Sequence, residues 1–286
     1  MYEALTSAWA SVFYAAVILL ALGELLIPAR QGARALDRRW STNIGLYLLN
    51  MLLHRFLGPV LAVVVGYGAL AGDVGVFAWL AVPALPAIVA GILLLDLWKY
   101  VEHRLMHAVP LLWRLHLVHH SDTDVDFTTA ERHHPLEVVI GTVGFVAVTV
   151  VFAIPPLAIA LYALIATIVA VFSHANIQVG RALDRPLSWV IVTPAVHNVH
   201  HSAERAETDS NFGLMMTLWD RLFGTYTVDT PHRAAARQLG LEYFRNDRDG
   251  WLDRVLLQPF THTWARAKTL PPSPTPGERP SPPAAE

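Results

Sequence analysis

Apolar residues in this chain gather in runs too long to be one buried face of a soluble helix. A helix crossing a bilayer needs roughly 20 apolar residues, and the pattern predicts four or five such spans. The first is Trp9–Ile27. It lacks a basic leader and a small-residue cleavage site, so it is expected to be a retained membrane helix. The second lies within Ile44–Leu70, interrupted by His54, Arg55 and Pro59; its early part is expected in the interface, with Leu57–Leu70 dipping inward. The third, Phe77–Leu97, carries Pro83 and Pro86 and runs into polar sequence at Asp96. Val138–Phe172 is one long apolar stretch, which as a single helix would measure about 52 Å. Pro155 and Pro156 interrupt it, removing two donors and disfavouring helix at Ile154. Two helices joined there are predicted, so residues before Val138 and after Phe172 share one side. The fold class expected is all-α: a polytopic membrane bundle with a helical, histidine-rich cap.

Composition sharpens this reading. More than half of the 286 residues are apolar and 15% are charged, against about 25% charged in ordinary soluble domains. A net charge of -2 gives no support to nucleic-acid binding. Arg30, Arg34, Arg38 and Arg39 follow the first span, whereas the loop near Gly72–Gly75 holds only Asp73. Positive-inside reasoning places the arginines, and by parity Lys99–Glu137 and everything after His174, in the cytoplasm. Trp251–Trp264 is amphipathic and suits the interface. The Pro- and Ser-rich tail from Leu270 is expected to be disordered. The division expected is 1–42, a span and basic loop; 43–265, the main membrane domain; and 266–286, the tail.

The fourteen histidines are the anomaly. His103 and His107 are four apart in HRLMH; His116, His119 and His120 form HLVHH; His197, His200 and His201 form HNVHH. Positions i, i+3 and i+4 share a helix face, so each group is expected to aim two or three imidazoles at one point. His134, in ERHHPLE, and His174, where the hairpin returns, join by position. His54, His133, His232 and His262 read as ordinary polar residues. Imidazole binds iron, zinc, copper and nickel. Eight to ten imidazoles suit two ions rather than one four-coordinate structural zinc, and the H-E-x-x-H pattern of hydrolytic zinc sites is absent. Two irons acting on dioxygen fit best. Neutral ligands leave their charge to be offset nearby, with Asp96, Asp122, Asp124, Glu131 and Glu137 as candidates.

The absence of cysteine excludes disulfides, iron–sulfur ligation and a haem-thiolate centre in this chain. No G-x-G-x-x-G follows a strand pattern, so no flavin or nicotinamide fold is expected. Electrons are therefore expected from a separate transfer protein or reductase, with Lys99, Arg104, Arg114 and Arg132 as docking candidates.

DLWKYVEHRLMH, LLWRLHLVHHS, RHHPLE, SHAN, TPAVHNVHHS and NFGLMMTLWDRLFGT together resemble the fatty acid hydroxylase/sterol desaturase superfamily, over roughly Arg39 to Phe260. The resemblance implies a helical membrane protein with a cytosolic cap over a non-haem di-iron centre, oxidising lipids with dioxygen. It implies His103, His107, His116, His119, His120, His134, His174, His197, His200 and His201 as ligands, with His133 at a variable position. Asn176, Asn198 and Asn211 are candidates to orient ligands, and Trp98, Tyr100, Trp113 and Trp219 to line a lipid channel or pack the core. The competing class is a histidine-rich metal transporter or sensor, in which ligands should lie at mid-span; here they follow span ends. Hydroxylation and desaturation stay open, as does the lipid: sterol, fatty acyl chain, sphingoid base, ether lipid or carotenoid.

Overall fold

The computed structural model describes residues 2–30, 38–70, 74–230, 234 and 236–261, with the backbone alone described for 2–10 and 59–70. Helices α1 (Tyr2–Leu26) and α2 (Arg38–Leu70) come first, then a single turn, α3 (Val76–Trp79), and the long α4 (Ala84–Ala108). A bend at Val109 leads into α5 (Pro110–His120). The hairpin α6 (Pro135–Phe152) and α7 (Pro156–His174) follows, and then the short helices α8 (Arg181–Leu187), α9 (Pro194–His200), α10 (Arg205–Thr208) and α11 (Leu218–Leu222). The last described helix is α12 (Leu252–Thr261). Among the described residues the backbone forms no sheet, only isolated bridges such as Pro28 with Ile177.

Among the described residues three helices are long and apolar enough to cross a membrane: α4, α6 and α7. Ser11–Leu26 within α1 is a shorter apolar stretch. Leu85, Val89, Val143, Leu157 and Ile165 face outward and are exposed, as lipid-facing side chains are. The protein is an integral membrane protein. The third span starts later than its apolar run suggests, because Pro83 caps α4 instead of bending it. It also continues without a break through the polar residues, so His103 and His107 ride on the membrane helix itself. The hairpin breaks where the Pro-Pro pair predicts, with Ala153 taking a left-handed conformation at φ 52°.

Leu95, Ile154, Ala158, Tyr162, Ala166 and Val169 form the membrane core, and Val192, Val196 and Met215 extend it into the cap. A second core joins Leu46, Trp113, Leu117, Val118, Leu241 and Val255. Here α12 seats its apolar face on α2 and α5, rather than lying free in the interface as its amphipathic pattern suggests. Arg39 and Arg132 are buried as well: Arg39 pairs with Asp122 and Asp126, and Arg132 donates to Asn43 Oδ1, Ser121 Oγ and the Val118 carbonyl. Arg132 is therefore structural and not available to dock a carrier. Arg34, His232, His262 and the tail lie outside the described residues.

The C-terminal ends of α4 and α7 and the N-terminal end of α6 meet at one end of the bundle, and the cap closes over it. Close helix approach makes this possible. A Cβ on Gly144 of α6 would stand 2.3 Å from Cζ2 of Trp98 on α4. Gly144→Ala should therefore destabilise the protein by about 1–3 kcal/mol through overpacking. Gly58→Ala, with nothing within 4 Å, should be neutral or slightly stabilising. Thermal unfolding in detergent checks the pair.

Candidate metal centre

Each histidine motif reaches the centre on a helix that proline helps to start. Pro110 and Pro194 occupy the first turns of α5 and α9, and the Thr193 side chain caps the latter. Among the described residues two clusters of imidazoles result, all buried except the half-buried His103. His103, His107, His116, His120 and His200 form one; His119, His174, His197 and His201 form the other. Within each, the candidate ligand nitrogens all lie within 4.8 Å of one another.

The H-x-x-H-H motifs do not aim at a single point. From α5, His116 and His120 enter the first cluster and His119 the second; from the second motif, His197 and His201 enter the second cluster and His200 the first. The cause is angular. At 3.6 residues per turn, i+4 lies about 40° to one side of i and i+3 about 60° to the other. One motif thus serves two neighbouring centres, and the two motifs do so reciprocally.

Hydrogen bonds fix the tautomers of five rings. Nδ1 of His103, His174 and His200 faces the carbonyls of Phe212, Ala170 and Ser210 at 2.7–2.8 Å. Nδ1 of His116 faces Glu137 Oε1 at 2.7 Å, and that of His107 faces Asp209 Oδ1 at 3.2 Å. Each of these nitrogens donates its proton outward, which leaves the Nε2 lone pair facing the cluster. Nε2 atoms then approach one another: His103 and His116 at 3.0 Å, His119 and His174 at 3.2 Å, His174 and His197 at 2.9 Å, His197 and His201 at 3.1 Å. Nε2 of His107, His120 and His200 is buried with no hydrogen-bond partner.

His103 and His116 both commit Nδ1 as a donor, so their Nε2 lone pairs face each other at 3.0 Å and repel unless something electrophilic lies between them. Two nitrogens bound to one ion at a right angle, with bonds of about 2.1 Å, sit roughly 3.0 Å apart. The residues present therefore fit metal ions. Burial favours the neutral, ligating form: it lowers His119, His120, His197 and His201 well below the usual histidine value and takes His200 down to about 3.

His134 stands apart from both clusters. It caps α6, accepting from the Leu136 N–H at Nδ1, and its Nε2 faces the Leu256 carbonyl at 3.3 Å. Its neighbour His133 turns inward, stacking on His119 at 4.6 Å and pairing with Glu137 at 3.0 Å. Burial alone would lower His133, but Glu137 beside it carries it above the usual value. Of the carboxylates singled out in the sequence, Glu137 touches a clustered histidine; Asp96 accepts from Trp219, and Asp122 from Arg39, Asn43 and Thr129. Asp209 was missed, because nothing in sequence brings it to His107, 102 residues away. The three asparagines hold the frame instead of the ligands. Asn176 and Asn198 bind Arg30, and Asn211, at φ 52°, binds the backbone of Val196 and Thr227. Trp113 packs on His107 and His120, and Tyr100 bonds Thr225.

A cavity of about 580 Å³ opens against the histidines, within the usual range of ligand pockets. His103, His116, His119, His174 and His197 form its upper wall; Val138, Phe145, Ala163, Ala166 and Leu214 are among its apolar lining.

Residues 88–225 match the family model described as Fatty acid hydroxylase, a segment holding both clusters. Alkylglycerol monooxygenase of Xenopus tropicalis is 30% identical over 134 residues, 47% of this chain and 29% of the relative. Ornithine lipid hydroxylase OlsE of Rhizobium tropici is 28% identical over 156 residues, 54% of this chain and 45% of the relative. Methylsterol monooxygenase 1 of Danio rerio is 31% identical over 142 residues, 48% and 45% respectively. The chain thus spans less than half the length of each. No solved structure matches it. Both histidine clusters lie inside the matched segment, and the family model together with three named lipid hydroxylases and monooxygenases supports a likeness of that segment to the fatty acid hydroxylase/sterol desaturase superfamily.

Proposed function

We propose that this protein is a non-haem di-iron oxidoreductase that uses dioxygen to hydroxylate an alkyl C–H bond of a membrane lipid. The observation that carries the reading is the pair of buried imidazole clusters, lone pairs inward, forming the wall of an apolar cavity within the membrane helices. His103, His107, His116, His120 and His200 would hold one iron, and His119, His174, His197 and His201 the other. Iron bound there supplies the redox chemistry with dioxygen that side chains lack. In balance, one oxygen atom enters the C–H bond and the other leaves as water, with two electrons and two protons supplied from outside. The names of the relatives favour hydroxylation over desaturation. Electrons come from a separate transfer protein or reductase.

The protein's own groups prepare this chemistry. Glu137 holds the Nδ1 proton of His116, and Asp209 that of His107, which orients both rings and makes them stronger donors. The apolar cavity walls exclude water and hold the chain of the lipid. The histidine end faces the cytoplasm on this reading, with 43–265 as the oxidising domain, 1–42 its N-terminal span and basic loop, and 266–286 a tail.

Three outcomes are expected. Protein from iron-fed cells should carry two irons per chain, and cells grown under heavy dioxygen should place one heavy oxygen atom on a lipid. His201→Ala should abolish that product and lower metal content, whereas His134→Ala should keep both irons. Two irons lost on His134→Ala, or a lipid two hydrogens lighter with no heavy oxygen, would correct the ligand set or the reaction. Second, Ala206→Cys and Ala108→Cys, exposed near the histidine motifs, should resist impermeant thiol reagents in intact cells and react in inverted membranes. Third, metal-free protein should lose stability in acid. The folded pKa of His200 lies below the unfolded value of about 6.5, so its contribution is present above pH 6.5 and lost as pH falls toward 3. By pH 5 one such group costs about 2 kcal/mol, or roughly 4–8 °C in midpoint for a chain of this size. A thermal midpoint that stays flat from pH 7.5 to 5 would contradict the neutral burial.

A further inference from the structure

The cavity's polar wall holds a carboxylate that neither the metal clusters nor the fold uses up. Glu102 precedes His103 on α4, and both line the cavity. Glu102 is 8% exposed. Its Oε1 accepts from Lys99 Nζ at 2.7 Å, while its Oε2 is buried with no hydrogen-bond partner. Gly141 lies directly against it: a Cβ there would come within 2.8 Å of Oε1. A buried carboxylate oxygen left unpaired costs free energy, so its place on a cavity wall implies a donor brought by the occupant.

The level in the membrane agrees. Glu102 lies about 27 Å along α4 from Ala84, near the interfacial end of the span. Tyr162, also lining the cavity, lies about 18 Å below His174 along α7. An amphiphile bound with its polar end at Glu102 and its chain toward Tyr162 keeps each part at its natural depth. The donor required is a neutral one. Lys99 already balances the charge of Glu102 and would repel an ammonium; of the other carboxylates on this wall, Glu137 is taken by His116 and His133, and Glu131 stands near His133. Building on the lipid oxidation proposed above, we propose that Glu102 is a substrate-recognition residue that accepts a hydrogen bond from a hydroxyl group of the lipid, and that the carbon oxidised lies near that hydroxyl rather than at the far end of the chain.

The test is equilibrium binding, followed by tryptophan fluorescence, to the iron-loaded full chain in detergent without reductant. The probes are 1-hexadecanol, hexadecyl methyl ether and hexadecylamine, which present a hydroxyl, a capped oxygen and a cation on the same chain. Wild type should bind the alcohol roughly tenfold or more tighter than the ether, as expected for a hydrogen bond to a charged group. Glu102→Leu should bring that ratio to about one with ether binding little changed, and Glu102→Gln, which keeps an acceptor, should fall between. A wild-type ratio near one, a ratio that survives Glu102→Leu, or an amine bound tenfold tighter than the alcohol overturns the proposal. Should Glu102→Leu not fold, Glu102→Gln decides: a ratio below wild type supports it and an unchanged one overturns it. Binding is read without turnover, so this result stands apart from whether the enzyme hydroxylates a lipid.

Discussion

Nine imidazoles packed together, eight of them buried and His103 half-buried, are the constraint that organises this molecule. A buried nitrogen lone pair with no donor costs about 1–3 kcal/mol; here Nε2 of His103 faces Nε2 of His116 at 3.0 Å, and Nε2 of His107, His120 and His200 is buried without a partner. Protonation would relieve the lone pairs, but it would charge a dry interior, and burial forbids it. Cations shared among the rings would resolve both problems. The surrounding frame is correspondingly stiff. Arg39, Arg132, Asn43 and Asp122 lock α2 to the segment after α5, and Arg30 with Asn176 and Asn198 ties the end of α1 to the loops beside His174 and His197.

That stiffness reaches the first span. Glu24 near the end of α1 accepts from the backbone N–H groups of Phe127 and Asn176, and Pro28 bridges Ile177. The segment outside the family match is therefore a structural support of the loop that follows a clustered histidine. The arginines between the first two helices serve the same frame: Arg30 and Arg39 carry buried or half-buried ion pairs with the cap.

Much of this was legible in sequence because two periodicities were strong. Runs of apolar residues gave the helices, and a repeated helical spacing gave eight of the clustered histidines. The hairpin was legible because Pro155 and Pro156 leave no alternative. What escaped were features set by tertiary contact. Whether His133 or His134 turns inward depends on Pro135 starting α6 and on the Leu256 carbonyl of α12, 122 residues away. The pairing of His107 with Asp209 depends on a loop with no regular pattern. The division of each motif between two clusters was present in the helical angles, yet it becomes visible only when a second motif arrives to complete each centre.

The two clusters differ in how they are supported. In the first, His103, His107, His116 and His200 each commit Nδ1 to a carbonyl or carboxylate; in the second, only His174 does, and the Nδ1 atoms of His119, His197 and His201 are buried without partners. Outer hydrogen bonds fix ring orientation and raise ligand basicity. The first cluster also carries both carboxylate contacts, Glu137 and Asp209, so negative charge is concentrated on one side of the pair. An ion held there, as proposed, would be better compensated and more rigidly held than its neighbour. The cavity touches both, through His103 and His116 on one side and His119, His174 and His197 on the other. On the proposed reading a bound chain would lie across the junction of a rigid, charge-balanced centre and a looser one, and that asymmetry follows from which carbonyls and carboxylates meet Nδ1 of each ring.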